Sequence, residues 1–357
     1  MRVVLSGYYG FHNVGDEAIL LSIITALRQE RPNIEITVLS NDIEYTKKTY
    51  QVDAVNRWKF SEVYQTLRNS DALISGGGSL LQDKTGLKSV PYYLGIMQLA
   101  RLARKPYFIY AQGLGPIDRP WNKKMTKRVL SNAAFVTVRD EDSASLLRSF
   151  GYKKEIELVP DPVIGLNAGD YESDWIKRVR VSNKPLLAVS VRDWETSIPY
   201  MEKVEEVLDR CAEHGLTPLF IPMHGEQDAH TSEKVASQMS SEVMIAPYDV
   251  SIEEKIAIIK ECDVLIGMRL HALIFAAVAS TPMVGLSYDP KIDAFLKQVQ
   301  QPLGGHVESN WDVEQMVEAI VTQYQNREAQ QKVLENTVSS LKQQANDTAK
   351  KVINYLS

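Results

Sequence analysis

Residues 262–291 read CDVLIGMRLHALIFAAVASTPMVGLSYDPK. Val264, Leu265 and Ile266 form a short apolar run with the length and composition of a buried strand, and Gly267 breaks it. Arg269, Leu270 and His271 then lead into residues 272–279, whose Ala, Leu and Ile content reads as a helix. Residues 282–286 read as a second strand, ending in Ser287, Tyr288, Asp289, Pro290 and Lys291. Strand, helix and strand in immediate succession imply a parallel sheet, because parallel neighbours need a crossover between them. In such sheets ligands lie beyond the carboxyl ends of the strands, where the next helix offers unpaired N–H groups and the positive end of its dipole. Arg269, His271 and Lys291 therefore stand where an anion binds. A competing reading of Arg269 is an ion pair with a carboxylate on a neighbouring loop.

The same alternation runs outward in both directions. Strands are expected at residues 3–6, 34–39, 71–75, 107–110 and 135–138, with helices over 16–30, 61–69, 91–103 and 121–131 and a weaker unit at 45–55. Prolines, glycines and charges interrupt the pattern between residues 159 and 185. It restarts with strands at 186–191, 218–221 and 243–246 and a helix at 201–214. A chain of 357 residues is long enough for two domains at roughly 150 residues each. The expected architecture is α/β: two Rossmann-like parallel-sheet domains facing a cleft, over residues 1–165 and 185–330. Residues 166–184 would link them, and a polar C-terminal helix over 331–357 would pack back on the first domain.

Composition excludes several classes. Apolar residues at 44% and charged residues at 24% match ordinary globular proteins, and a formal net charge of -5 argues against a general nucleic-acid binder. Cys211 and Cys262 are too few for a disulfide framework and lack metal-ligand spacing, which suits a reducing compartment. The chain opens directly on a strand, with no signal peptide and no apolar run approaching about 18 residues. The expectation is a cytoplasmic protein whose contact with a membrane is peripheral. The oligomeric state stays open.

Two glycine-containing loops and a set of strand-end cations are the candidate site. The first loop, GYYGFHNVGDE at residues 7–17, resembles a phosphate loop in its glycines but has neither a P-loop Lys-Ser/Thr pair nor dinucleotide spacing. Asp16 and Glu17 suit a helix start, either as caps or as bases, while His12 and Asn13 would point towards sugar hydroxyls. In the second loop Gly76, Gly77 and Gly78 permit either close approach of a ligand or simply a tight turn. Arg139, Arg192, Arg269 and Lys291 each follow a strand, and His224 follows another, so together they describe a pocket for a small dianion that guanidinium groups grip in bidentate fashion.

At these residues the chain resembles the polysaccharide pyruvyl transferase family, and within it the bacterial enzymes that place a ketal-linked pyruvate on a secondary cell-wall polymer. Asn13, Gly15, Asp16 and Glu17 carry the resemblance, with Gly76 to Ser79, Val138-Arg139-Asp140, Ser190-Val191-Arg192 and, most specifically, Gly267-Met268-Arg269-Leu270-His271. It implies a GT-B-like fold, phosphoenolpyruvate as donor substrate with no cofactor and no metal, and a lipid-diphosphate-linked saccharide ending in N-acetylmannosamine as acceptor. It also implies a 4,6-linked ketal serving surface-layer anchoring, made at the inner face of the cell membrane. Ketal formation needs C3 of the enolpyruvyl group protonated and its anion clamped. His271 is the expected acid or phosphate partner, Arg269 and Arg139 the phosphate and carboxylate clamps, Arg192, Lys291 and His224 further donor contacts. Asp16 or Glu17 would be the base, with His12, Asn13 and Gly76 to Gly78 on the acceptor side. The rivals are a nucleotide-sugar glycosyltransferase on the same fold, for which residues 272–279 carry no acid to hold a ribose although Asp289 or Asp293 could substitute, and a non-catalytic saccharide-binding protein.

Overall fold

In the computed structural model every residue is described except 84, 85, 87 and 181–183. The chain divides into two compact units, one formed by Met1–Leu166 with Leu341–Ser357 and the other by Asn167–Ser340. Of the expected linker, residues 181–183 lie outside the described residues. Residues 168–180 are tied to the second unit: Lys260 Nζ donates to the carbonyls of Ala168 and Tyr171 at 3.1 and 2.7 Å, and Ser173 Oγ donates to Glu254 at 2.9 Å.

The strands of the first unit are β1 (Arg2–Ser6), β2 (Glu35–Ser40), β3 (Asp53–Asn56), β4 (Ala72–Ser75), β5 (Gly78–Leu81), β6 (Tyr107–Leu114), β7 (Val136–Val138) and β8 (Glu157–Leu158). They pair in parallel in the order β3-β2-β1-β4-β6-β7-β8, with β5 beside the end of β6. Val3, Val4, Leu5, Leu73 and Ile74 are fully buried, as befits strands covered on both faces. The chain leaves β1 towards β2 on one side and returns through β4 on the other, so the crevice between Ser6 and Ser75, which pair in register, is a topological switch point. Two features depart from the sequence expectation. The glycine turn runs on into β5, and β6 continues past Ala111, at φ +48°, instead of stopping near residue 110.

The helix Val14–Glu30 starts at this crevice. Its cap is neither Asp16 nor Glu17 but Asn13, whose Oδ1 accepts from the amides of Gly15 and Asp16 at 3.1 and 3.2 Å. Both acids are thereby released from capping and sit in the first turn, where the helix dipole favours negative charge.

The second unit holds β9 (Leu186–Ser190), β10 (Thr217–Phe220), β11 (Met244–Ile245), β12 (Val264–Gly267), β13 (Met283–Ser287) and β14 (Leu303–His306). All are parallel, in the order β11-β10-β9-β12-β13-β14, and Ser190 pairs with Gly267 at the switch point. Leu187, Val189, Val264, Ile266, Val284 and Leu286 pack into one core with the helices Tyr200–Glu213 and Val313–Gln325. β14 escapes a sequence reading because its glycines suppress the strand signal. They are needed there, since a Cβ on Gly304 would stand 2.4 Å from Met316 Sδ and one on Gly305 2.6 Å from Trp311. Among the described residues no helix is long and apolar enough to cross a membrane.

Candidate active site

The switch point of the first unit is built around Asp16. Burial pushes its carboxyl up to about 7, and the neighbouring charges of Glu17 and Asp161 act in the same direction, while Arg139 opposes them. The residue opposite is Gly78, at φ +91°, where a Cβ would stand 2.7 Å from Asp16 Oδ1. Gly78 is therefore required both by its backbone conformation and by the carboxylate beside it. For Gly76 and Gly77 the close approach is by protein rather than by a ligand. A Cβ on Gly76 would meet Tyr9 Oη at 2.1 Å, and one on Gly77 would meet Ile19 at 3.1 Å. The Tyr9 hydroxyl, Ser75 Oγ and the side-chain amide of Gln112 are buried with no hydrogen-bond partner among the described residues.

Arg139, an expected donor contact, belongs to this constellation. Its Nη1 donates to Asp161 Oδ2 at 2.7 Å, its Nη2 to Ser79 Oγ at 3.0 Å, and its Nε lies 3.9 Å from Asp140. With these donors engaged inside the first unit, its evident effect is on the charge of Asp16. Glu17 points inward instead of towards a substrate: it is 2% exposed, and its two oxygens accept from the Gly10 amide at 2.7 Å and the Tyr50 hydroxyl at 2.6 Å. Its expected role as a base falls away for that reason. His12, at φ +57°, is exposed, with Nε2 3.3 Å from Asp42. Asn13 is committed to its cap.

In the second unit the expected residues follow four adjacent strands. Arg192 comes after β9, His224 after β10, Arg269 and His271 after β12, and Lys291 after β13. The Arg192 guanidinium lies 5.0 Å from the Trp194 ring and 4.7 Å from that of Tyr288. His224 begins the helix Gly225–Ala236, and its pKa is pushed down by burial and then by Arg269, with Arg192 acting the same way. Both arginines thus act on one point. His271 and Lys291 are each the second residue of a helix, Leu270–Val278 and Pro290–Gln298.

Arg269 is also one half of an ion pair, the alternative the sequence left open. Its Nε donates to Asp228 Oδ2 at 3.0 Å and its Nη2 to Oδ1. Asp228 is fully buried and accepts from the Met223 amide as well, at 3.2 Å. The pair orients the guanidinium from behind. Lys255 supports the same turn: it is 1% exposed, donates to the carbonyls of Pro222 and Tyr248 at 2.9 Å each, and burial lowers its pKa to about 8. Sequence reasoning missed Asp228, Asp161 and Lys255, and named Ser79 only as part of the glycine turn. Asp228 lies inside a polar helix, and Lys255 follows two glutamates at the start of IEEKIAIIK, where it reads as part of the solvated face; Asp161, in the Pro160-Asp161-Pro162 run, carried a weak turn signal.

The model of the family described as polysaccharide pyruvyl transferase matches residues 13–290. The amylovoran biosynthesis protein AmsJ of Erwinia amylovora is 20% identical, over 85% of this chain and 87% of its own. Among solved structures, Anabaena Alr3699/HepE in complex with UDP and glucose superposes with a TM-score of 0.64 at 13% identity, covering 100% of this chain and 99% of that one. The UDP-GlcNAc 2-epimerase of Neisseria meningitidis bound to UDP-GlcNAc gives 0.64 at 10% identity, over 100% and 99%. A glycosyltransferase of Rickettsia africae gives 0.66 at 11% identity, over 99% and 97%. At such identities the solved structures establish the fold, which is GT-B-like. The family match covers most of the chain, including the Asp16 crevice and the Arg269-Leu270-His271 segment, and the protein belongs to the polysaccharide pyruvyl transferase family.

Proposed function

We propose that the protein transfers the enolpyruvyl group of phosphoenolpyruvate to a lipid-diphosphate-linked cell-wall saccharide ending in N-acetylmannosamine, forming a 4,6-linked ketal and releasing phosphate. The reading places the enzyme in the cytoplasm at the inner face of the membrane, and its product would be the group that surface-layer proteins grip. Membership of a transferase family for polysaccharide pyruvylation is the frame. The observation that carries the donor is the row Arg192, His224, Arg269, His271 and Lys291 behind the adjacent strands β10, β9, β12 and β13.

In this reading the second unit holds the donor. Arg269, oriented by Asp228, and Arg192 grip phosphate and carboxylate, with Lys291 and the helix N-termini assisting. His271 protonates C3 of the enolpyruvyl group, so C2 gains oxocarbenium character and accepts one sugar hydroxyl. Phosphate then leaves from C2, and the second hydroxyl closes the ring. Two hydroxyl protons are lost and one is gained at C3; phosphate carries the balance. Asp16, which a pKa of about 7 suits to accepting a proton near neutral pH, is the base in this reading.

The test is phosphate release from phosphoenolpyruvate with a synthetic lipid-diphosphate disaccharide, with the product weighed by mass spectrometry. Acceptor-dependent release and a gain of one pyruvate, both lost in His271→Ala and in Asp16→Asn, is the expected result. Turnover with a nucleotide sugar but none with phosphoenolpyruvate would transfer the protein to glycosyl chemistry. Saccharide binding without either reaction would make it a binding protein.

A further inference from the structure

The first unit carries an exposed aromatic surface that the proposed chemistry leaves unused. Trp58 is 54% exposed, Phe60 51% and Tyr8 40%, and Tyr8 stacks on Phe11 with centroids 4.0 Å apart. Beneath them lies Arg57, only 2% exposed, whose Nη1 donates to the Gly7 carbonyl at 2.8 Å and Nη2 to the Tyr93 hydroxyl at 3.2 Å. Its guanidinium stands 4.5 Å from the Tyr92 ring, 5.1 Å from Phe11 and 5.2 Å from Trp58. Trp58 is further held by its Nε1, which donates to Asn41 Oδ1 at 3.2 Å. Trp58 is thus held by a buried cation and a hydrogen bond, and Tyr8 by its stack on Phe11, while both rings remain exposed, an arrangement that stability alone does not favour. Beside them is a groove of about 480 Å³ lined by Gly10, Phe11, His12, Asn41, Asp42 and Glu44.

We infer that this surface and groove form a platform on which a pyranose ring of the acceptor saccharide stacks. The inference rests on the reading of the chain as an enzyme acting on a saccharide, and names where and how that saccharide is held. A pyranose offers one face of C–H groups, whose partial positive charge matches the negative face of an aromatic ring, and a rim of hydroxyls that need hydrogen-bond partners. Tyr8, seated on Phe11, and Trp58 supply the faces; Asp42, Glu44, Asn41 and His12 supply the rim. Two carboxylates in the lining disfavour a phosphate or an anionic lipid headgroup, which leaves a neutral polyhydroxy ligand as the better match. The loop that bears Phe11 and His12 runs directly into the helix that bears Asp16, so a saccharide held here is adjacent in the chain to the proposed base.

The experiment is saturation-transfer NMR on the full chain with the methyl glycoside of N-acetylmannosamine, together with acceptor kinetics using the lipid-diphosphate disaccharide. Trp58→Ala and Tyr8→Leu remove ring faces, the latter leaving Phe11 in place over Arg57; Trp121→Ala, at a residue 70% exposed elsewhere in the unit, is the control. The expected result is saturation of the sugar C–H protons that both variants lose, with the acceptor KM raised roughly ten-fold and kcat and the phosphoenolpyruvate KM unchanged. An unchanged acceptor KM in both variants overturns the inference and leaves the pyruvyl reading intact. Failure of the wild type to bind the glycoside overturns it, as does loss of phosphatidylglycerol-vesicle binding in Trp58→Ala with sugar saturation unaffected. Sugar binding lost in the variants of a protein that ignores phosphoenolpyruvate sustains the platform and retires the donor instead.

Discussion

Asp16 concentrates the electrostatics of the first unit in one carboxyl. Its folded pKa of about 7 lies above the ordinary carboxyl value, so between about pH 4 and 7 the folded protein holds a proton that the unfolded chain has released. The sign follows: this group's contribution to stability is present at low pH and is lost as pH rises through that window. Asp16→Asn should therefore show a shallower fall in Tm from pH 4 to 7 than the wild type. Its kcat/KM should drop by about 10²–10⁴ if Asp16 is the base, and the wild-type profile should rise through pH 7. Because Arg139 opposes the upward shift, Arg139→Gln should move that limb to higher pH; a limb that stays in place removes Arg139 from the electrostatics. Arg269 raises a different issue. Arg269→Ala leaves Asp228 buried without its cation, at a cost of about 3–5 kcal/mol. Urea denaturation should show that loss, and Arg269→Met combined with Asp228→Leu should recover most of the stability without recovering turnover. Activity lost in Arg269→Ala alone is therefore poor proof of a substrate contact.

The elements explain why small residues occupy some positions and not others. Gly78 joins the β4 end to β5 at positive φ with Asp16 against its Cα, so Gly78→Ala should cost about 1–2 kcal/mol from backbone conformation alone and should also disturb the carboxylate. Gly95 lies within the helix Ser89–Leu102 with nothing within 4 Å of an added Cβ, and Gly95→Ala should stabilise by about 0.5–1 kcal/mol. Thermal melts of the two variants should move in opposite directions, and equal shifts would contradict the packing described. The same logic covers Gly7 and Gly76, which flank the buried Tyr9 ring.

At the scale of the molecule the chain crosses from the second unit back to the first through one long helix, Arg327–Leu356. Its last part buries Leu341, Ala345, Ala349, Val352 and Ile353; Tyr110 Oη reaches the Ala345 carbonyl at 3.5 Å, Tyr355 packs edge-on against Phe108 at 5.2 Å, and Lys351 pairs with Glu157. Removal of residues 341–357 should uncover β6 and destabilise the first unit selectively. In calorimetry one transition should fall while the other holds, and limited proteolysis should leave a fragment beginning near the start of the second unit. Uniform destabilisation of both units would show the helix to be a common support.

The sequence by itself determined the alternation of strand and helix and the positions of most strand ends. Period and composition are local properties, and a run such as residues 264–266 has few other ways to satisfy its backbone away from water. It also determined that cations follow strands in both halves, and the motifs that mark the family. Only the tertiary structure decided what those cations do. Arg139 paired with Asp161, Arg269 acquired Asp228 from a distant helix, and Glu17 was withdrawn into the interior beneath Tyr50. Each outcome depends on a partner far away in the chain, and no local pattern encodes it. Arg57 is the plainest case: it stands in a weak strand-helix region of the sequence, and only packing reveals a buried guanidinium under exposed rings.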